Sequence, residues 1–268
     1  MTFLKNFAII SMNKKAEIFI ENNAKIKYKE IYMIQLEHIS KSYKKIPALS
    51  DLSYTFEQNN AYGILGINGA GKSTLIGCLT GNLSHSGTIR YEGINLNQIG
   101  YVPQELAIYP ELSVLDNLLF FASVFKVPKE QAKSRAAGLI ERTGLQDKTY
   151  EKVKNLSGGM KRKLNLITGL IHNPKLLICD EVCVGIDPIS RQEILEYLKE
   201  LQLNGMSIIY TSHYLDEIEF LCGKILFLHQ GKLILEGITA ELVKTISGKE
   251  KPDLSDLFIQ VIRKDGAL

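Results

Sequence analysis

The chain has no tryptophan and only four cysteines in 268 residues. Those cysteines, Cys78, Cys179, Cys183 and Cys222, form no C-x-x-C pair and show no metal-ligand spacing. That argues against a disulfide scaffold, a structural zinc site and a dithiol redox centre. Cys179 and Cys222 sit in apolar surroundings and read as buried free thiols, and reduced cysteines suit the cytosol. Long apolar runs are missing too. Crossing a bilayer takes about 18 or more apolar residues, and the nearest stretch, Leu112–Phe125, is short and carries Asp116 and Asn117. The patch Phe7–Ile10 is too short for a signal-peptide core and lacks a cleavage site. The expectation is a cytoplasmic chain that serves a membrane only through another, spanning subunit. A strong charge of one sign is also absent: the net charge of +3 is too small to argue for nucleic acid, and no nucleic-acid partner is expected. Repeats and low-complexity tracts do not occur. What remains is an ordinary globular composition, 45% apolar and 23% charged, enough for one large domain or two small ones without disulfides.

Against that plain background one run stands out: Gly66-Ile67-Asn68-Gly69-Ala70-Gly71-Lys72-Ser73-Thr74. An apolar segment (Tyr62, Ile64, Leu65) precedes it and a helix-like one (Leu75, Ile76, Leu79) follows. Strand, glycine-rich loop and helix are the context that a phosphate-binding P-loop requires. The glycines let the backbone curl until its N–H groups converge, and the helix N-terminus adds its dipole. Lys72 then reaches the β- and γ-phosphates, and the Ser73 hydroxyl serves Mg²⁺.

Alternating strand and helix patterns around this loop imply an α/β fold with a mainly parallel sheet. Ile34, Leu36 and Ile39, then Leu52, Tyr54 and Phe56, read as strand within 33–57. Short strands are expected at Thr88–Tyr91 and Ile99–Val102. Ser113-Val-Leu-Asp116 opens a helix to about Phe125, Lys129–Thr143 is a second ended by Gly144, and Ser157–His172 is a third. Leu176-Leu177-Ile178-Cys179 is a buried parallel strand ending in Asp180-Glu181. A helix over Ser190–Leu203, a strand over Ser207–Tyr210 and a hairpin of Lys224–Leu228 with Lys232–Leu235 complete the core. Helices at Ala240–Ile246 and Leu254–Ile262 close the chain, split by Gly248–Pro252. Residues 1–32 are rich in Lys, Asn and Ile, with Glu17–Ile20 and Lys25–Tyr28 able to pair around Asn22-Asn23. Met12 and Met33 are alternative starts, so this extension is either an over-extended reading of the start or an addition of this chain.

Two further clusters carry chemistry. Asp180 and Glu181 end a buried strand, at the sheet edge where open α/β folds place ligands. Beside a P-loop, the first acid suits Mg²⁺ and the second can orient and deprotonate a water. Leu156-Ser157-Gly158-Gly159-Met160 opens a helix with a good N-cap and bare backbone, followed by Lys161-Arg162-Lys163. Three cations in a first helical turn oppose the macrodipole, by up to about 1 kcal/mol each, unless an anion lies near. This reads as a second phosphate cradle. One nucleotide rarely needs two cradles in one chain, so each is expected to hold the same ATP from opposite subunits.

With these residues in place, the chain resembles the ATP-binding subunit of ABC transporters. Leu156–Met160 is similar to the family's signature motif, with Met160 where Gln is usual, and Gln104 in Tyr101-Val-Pro-Gln resembles the Q-loop glutamine. Ile186-Asp187 resembles the D-loop, His213 the switch histidine, and Tyr43 the aromatic that stacks on adenine. Val182-Cys183 stands where Pro-Thr is usual, which should alter the stiffness of the chain leading to Asp187. The resemblance implies a P-loop NTPase core with an antiparallel β subdomain and an inserted helical subdomain. It implies an extension at 1–32, an ATPase domain at 33–238 with its helical insert at about 111–172, and a helical tail at 239–268. ATP would be held by Tyr43, Gly66, Asn68, Gly69, Ala70, Gly71, Lys72, Ser73 and Thr74, and from the facing subunit by Ser157, Gly158, Gly159 and Asp187. Ser73, Gln104 and Asp180 would complete the Mg²⁺ shell. Glu181, His213, Gln104 and Lys72 would carry catalysis. A homodimer or paired ATPase subunit and a separate transmembrane permease are the implied partners. The helix Ser113–Phe125 carries Leu115, Leu118, Leu119, Phe121, Val124 and Phe125, more apolar surface than one face needs, which fits either core burial or a docking groove.

The segment Val184-Gly185-Ile186-Asp187-Pro188 is most like exporter ATPases of the ABC-2 type, including those for drugs and antimicrobial peptides. A soluble ABC ATPase acting on DNA or ribosomes is the alternative, but such proteins usually carry a coiled-coil insert or two cassettes. A P-loop GTPase should show Asn-Lys-x-Asp after the loop, and the chain's Asn13-Lys14 lies before it. A nucleotide-gated scaffold would not need Glu181.

Overall fold

The computed structural model describes residues 16–20, 26–30, 32–246 and 252–264. At the start, β1 (Ala16–Ile20) pairs antiparallel with β2 (Ile26–Glu30), Ala16 opposite Glu30. The expected hairpin forms with its second strand shifted toward Glu30. Its Asn22-Asn23 turn, the Phe7–Ile10 patch, Met12 and most of the Gly248–Pro252 break lie outside the described residues.

The alternating stretch from Met33 splits into β3 (Met33–Tyr43) and β4 (Ile46–Glu57), turned at Lys44, whose φ of 57° is left-handed. Their inward residues Ile34, Leu36, Ile39, Leu52 and Phe56 are buried while alternate positions face out. A larger sheet begins with β5 (Ala61–Leu65), which leads into the glycine loop and α1 (Lys72–Leu79). Next, β6 (Ser86–Glu92) joins β3 and β4 as a three-stranded antiparallel sheet in the order β4-β3-β6.

The larger sheet continues with β7 (Ile99–Val102) at its edge. Three helices follow before the next strand: α2 (Val114–Val124), α3 (Lys129–Arg142) and α4 (Gly158–Thr168). Ser113 caps α2 by accepting from the Asp116 N–H at 3.0 Å, a contact whose loss typically costs ~1 kcal/mol. Helix α4 stops short of the expected His172. There Gly169 lies so close to Val102 that a Cβ would sit 2.7 Å from Val102 Cγ2.

The remaining elements are β8 (Leu176–Asp180), α5 (Pro188–Leu203), β9 (Ser207–Thr211), α6 (Leu215–Leu221), β10 (Lys224–His229), β11 (Lys232–Ile238), α7 (Thr239–Lys244) and α8 (Leu254–Lys264). All but the edge strand β11 run parallel, in the order β11-β10-β5-β9-β8-β7. Strands β5, β8 and β9 are buried at every position, as a parallel sheet covered on both faces requires. Alternate residues feed two cores. Ile178 and Ile209 face α1 and the antiparallel sheet, and Leu177, Cys179, Ile208 and Tyr210 face the helices. Helix α8 belongs to that second core: Leu254, Leu257 and Ile262 are buried and the Phe258 ring lies 5.0 Å from Phe227. Helix α6 was not expected from the sequence. Its seven residues are too few to show a helical period, although Asp216 and Glu217 in its first turn are a start signal.

The topology fixes the site. Thr211 of β9 lies opposite Ile64 of β5 on one side and Asp180 of β8 on the other. The glycine loop, the acidic pair and His213 therefore leave the sheet at the same edge, side by side.

All four cysteines are free and buried, as expected. Burial pushes the Cys183 thiol up to about 12 and holds Cys78, Cys179 and Cys222 above the ordinary thiol range. Since the thiolate is the reactive form, the folded chain is expected to resist a thiol reagent at pH 8 and all four cysteines to react on unfolding. Rapid labelling of the folded chain, read by intact mass, would contradict this burial.

Candidate nucleotide site

The glycine loop takes its shape from positions that exclude a side chain. Gly71 has φ 107°, and a Cβ there would lie 2.5 Å from the Ala48 carbonyl oxygen. At Gly66 a Cβ would lie 2.4 Å from the Leu228 carbonyl oxygen. Helix α1 begins immediately, with Gly71 as N-cap and no side-chain cap. Its first N–H groups lack intrahelical acceptors, and the dipole adds positive potential. Lys72 is buried and its Nζ donates to the carbonyls of Gly66 at 2.8 Å and Ile67 at 3.3 Å. Burial lowers its pKa from the ordinary lysine range, while Glu181 and Asp180 push it back up. A cleft of about 540 Å³ opens over the loop, lined by Asn68 to Thr74, Tyr43, Ala48, Gln104, Glu181 and His213. Tyr43, at the end of β3, presents a half-exposed ring at its mouth.

Across the cleft the acids are held by one residue the sequence reading passed over. Thr211, fully buried, donates its hydroxyl to Asp180 Oδ1 at 2.6 Å. The same hydroxyl oxygen and the Thr211 carbonyl each accept from the Glu181 N–H at 3.1 Å. The only signal was a hydroxyl two residues before His213, at the end of a buried strand. Glu181 has φ 50°, left-handed for a non-glycine residue, a conformation that costs of order 1–3 kcal/mol and persists where the surroundings enforce it. His213 Nε2 lies 2.6 Å from Glu181 Oε1. The carboxylate is almost buried while the imidazole is 43% exposed, so the pair joins the interior to the cleft. A nearly buried carboxylate, a lysine and a set of converging N–H groups share this space, the kinds of group phosphoryl transfer uses. Among the described residues there is no cluster of three or more His, Cys, Asp or Glu that could hold a metal. The donors available are oxygens, on Ser73 and Gln104 in the cleft and on Asp180 behind it. Few protein oxygens of that hard type fit Mg²⁺, which keeps waters and phosphate ligands.

The second cradle lies elsewhere. Ser157 caps α4, its hydroxyl accepting from the Met160 N–H at 3.2 Å, and Ser157 and Gly158 are exposed. A Cβ on Gly159 would lie 2.1 Å from Ser190 Oγ and 3.1 Å from Asp187 Oδ2. Asp187 caps α5: Oδ1 accepts from the Ser190 N–H at 2.9 Å and Oδ2 from its hydroxyl at 2.7 Å, which holds the carboxyl below its usual range. Ser157, Gly158, Gly159 and Asp187 thus form one neighbourhood, and none of them lines the cleft over the glycine loop of their own chain.

Contrary to the expectation from the sequence, Lys161, Arg162 and Lys163 do not report an anion at the helix start. Lys161 Nζ donates to the Lys154 carbonyl at 3.1 Å, and Lys163 Nζ lies 2.7 Å from Glu193 Oε2. Arg162 donates to the carbonyl oxygens of Gln104 and Val184. Each charge has a partner within the chain, so the misplaced-cation argument falls while the capped, bare helix start stands. Val182 and Cys183, where the sequence departs from the expected pattern, are both buried, and the Val184 N–H closes a turn onto the Glu181 carbonyl at 3.2 Å.

A strand, a glycine loop and a helix start at the edge of a parallel sheet, facing a buried carboxylate pair, define a P-loop nucleotide-binding protein. The family model described as "ABC transporter" matches residues 49–184. The Linearmycin resistance ATP-binding protein LnrL of Bacillus subtilis (strain 168) is 42% identical over 225 residues, covering 81% of this chain and 72% of that protein. The Lantibiotic transport ATP-binding protein SrtF of Streptococcus pyogenes is 37% identical over 232 residues, covering 84% and 96%. Among solved structures, cbiO1 from Clostridium perfringens, part of the ABC transporter complex cbiONQ, superposes with a TM-score of 0.72 at 26% identity, covering 89% of this chain and 97% of that one. The chain belongs to the ABC transporter family and is an ATP-binding ATPase subunit of that class. Among the described residues no helix is long and apolar enough to cross a membrane.

Proposed function

We propose that this chain powers export through a separate transmembrane permease, by closing as a dimer on ATP and opening after hydrolysis. The observation that carries the reading is the split between its two clusters. Lys72, Glu181 and His213 share one cleft, whereas Ser157, Gly158, Gly159 and Asp187 stand apart on the same chain. A second copy, or a paired ATPase subunit, facing this one would bring the missing half to each cleft.

In that arrangement Tyr43 stacks on adenine. The backbone from Gly66 to Thr74, including Asn68, Gly69, Ala70 and Gly71, cradles the phosphates, and Lys72 neutralises them. Ser73, Gln104 and Asp180 would hold Mg²⁺, which when bound offsets charge on the phosphates. Glu181 accepts the proton of the attacking water at its carboxylate, and His213 orients that carboxylate through Nε2–H and braces the γ-phosphate. Ser157, Gly158 and Gly159 of the facing copy donate to the γ-phosphate from a helix start, with Asp187 fixing that start. Hydrolysis removes the charge shared between the copies, and the interface loosens.

The working unit of this reading is 33–238, with 111–172 as its helical insert, 1–32 as an extension and 239–268 as a closing tail. The permease docks beside the insert, in a groove of about 430 Å³ lined by Leu96, Tyr101, Phe121, Phe125 and His172. Export is supported by the relatives named for linearmycin resistance and lantibiotic transport, and by the Nod factor export ATP-binding protein I of Rhizobium etli, 35% identical over 226 residues. The chain then works on the inner face of the cell membrane, held there by its permease.

The test is Mg²⁺-dependent ATP hydrolysis by the purified chain over a range of concentrations. A site built from two copies is expected to give a rate per chain that rises with chain concentration until dimers dominate. A rate per chain that stays constant from nanomolar to micromolar concentration would contradict the shared site.

A further inference from the structure

Glu217, in the first turn of α6, is 1% exposed and has no part in the roles above. Its carboxylate is fully engaged. Oε2 accepts from the Tyr210 hydroxyl at 2.8 Å and the Ser212 hydroxyl at 2.5 Å, and Oε1 accepts from Arg191 Nε at 2.5 Å. Arg191 Nη2 also donates to Asp216 Oδ2 at 2.7 Å, and its guanidinium sits 4.5 Å from the centre of the Tyr214 ring. A buried ion pair is often no more stable than well-packed apolar residues of the same size. Fold stability is therefore a weak reason for a carboxylate here.

The partners of Glu217 lie on two segments that carry the site, the stretch leading to His213 and the helix that starts at Asp187. Ser212 immediately precedes His213, and its hydroxyl oxygen also accepts from the Tyr214 N–H at 3.0 Å. Arg191 sits one helical turn after Asp187, its N–H donating to the Asp187 carbonyl at 3.0 Å, and its neighbour Ser190 packs against Gly159. Tyr210 also shares the helix-side core with Cys183, in the turn that follows Glu181. One buried carboxylate thus joins the His213 segment to the Asp187–Ser190 helix start.

We propose that Glu217 and Arg191 form a positioning pair that holds His213 against Glu181 in register with Asp187, so that ATP turnover depends on the pair through His213. The pair links the cleft of one copy to the surface that completes the facing copy's cleft, and in this it rests on the proposed two-copy reading. Glu217 touches neither nucleotide nor water; its effect passes through the geometry of His213.

The experiment is ATP hydrolysis by the full chain, multiple- and single-turnover, for Glu217→Gln, Arg191→Ala, Arg191→Lys, Ser212→Ala, His213→Ala and the pairwise combinations across positions. Glu217→Gln is expected to lower kcat by roughly tenfold or more while KM for ATP stays within about twofold. In the His213→Ala background it is expected to add less than about a further twofold, because residues acting as one unit are not additive. Arg191→Lys, which keeps the charge and loses the fork, should recover part of the loss seen with Arg191→Ala. A purely structural role would lower kcat by the same factor with or without His213, and that result overturns the proposal, as does an unchanged kcat. If Glu217→Gln does not fold, Ser212→Ala leaves the ion pair in place and is held to the same pattern. A native chain that does not hydrolyse ATP would overturn the underlying reading, whereas an active native chain with additive variants overturns only the pair.

Discussion

Glu181→Gln is expected to bind ATP as tightly as the native chain and to hydrolyse it roughly 10²–10⁴-fold more slowly, the usual scale for lost general acid–base help. The substitution preserves almost everything else. Its amide is the same size as the carboxylate, so the nearly buried site need not open. The N–H still donates to the Thr211 carbonyl and hydroxyl oxygens, which hold the left-handed backbone in place. His213 Nε2 still has a polar neighbour where Oε1 stands. What disappears is the capacity to take a proton from water. Nucleotide titration and phosphate release on the same preparation separate the two effects. Near-normal turnover would remove Glu181 from its proposed role, and a parallel loss of binding would point to a damaged cleft.

Lys72→Ala acts on the other step. Nζ is buried against two carbonyls and lies in the field of Glu181 and Asp180, so in the proposed reading the lysine is the cation that offsets this acidic pocket for a polyphosphate. Charge-assisted hydrogen bonds are worth about 1.5–3 kcal/mol, so ATP affinity is expected to fall roughly 10- to 100-fold. The carboxylates left behind would also repel the phosphates, which places the result toward the upper end. Native-like affinity in a nucleotide titration would contradict the phosphate role of Lys72.

The two substitutions probe the parts of the site that were plainest in the sequence, and the reason is local. A P-loop is one contiguous stretch whose glycines, lysine and flanking strand and helix encode the geometry themselves, as the close contacts at Gly66 and Gly71 show. The Asp180-Glu181 pair announces itself because a strand buried at every position cannot end in two carboxylates without purpose. Thr211 was not legible in that way. Its role arises from strand order, which sets β9 between β5 and β8 and so brings its hydroxyl to both acids. The cations at 161–163 were misread for the same reason: Gln104, Val184 and Glu193 lie far from them in sequence and adjacent in space. Helix α6 was missed because its buried face depends on packing against β5 and α5 rather than on a repeating pattern. Local chemistry was readable; partners supplied by topology were not.

Topology also explains why the cleft and the Ser157–Gly159 helix start do not meet within one chain. Arg162, on that helix, donates to the Gln104 and Val184 carbonyls, and Asp187 packs beside Gly159, so the two clusters are held apart in a fixed relation. In the proposed reading a second copy, or a paired ATPase subunit, brings them together. The most direct measurement is the molar mass of the Glu181→Gln chain with saturating ATP and without it, by sedimentation or light scattering. A monomer is expected without nucleotide and a dimer with ATP, reverting to monomer when Ser157 is also replaced by Arg to block the cradle. A Glu181→Gln chain that binds ATP and remains monomeric would contradict the shared site.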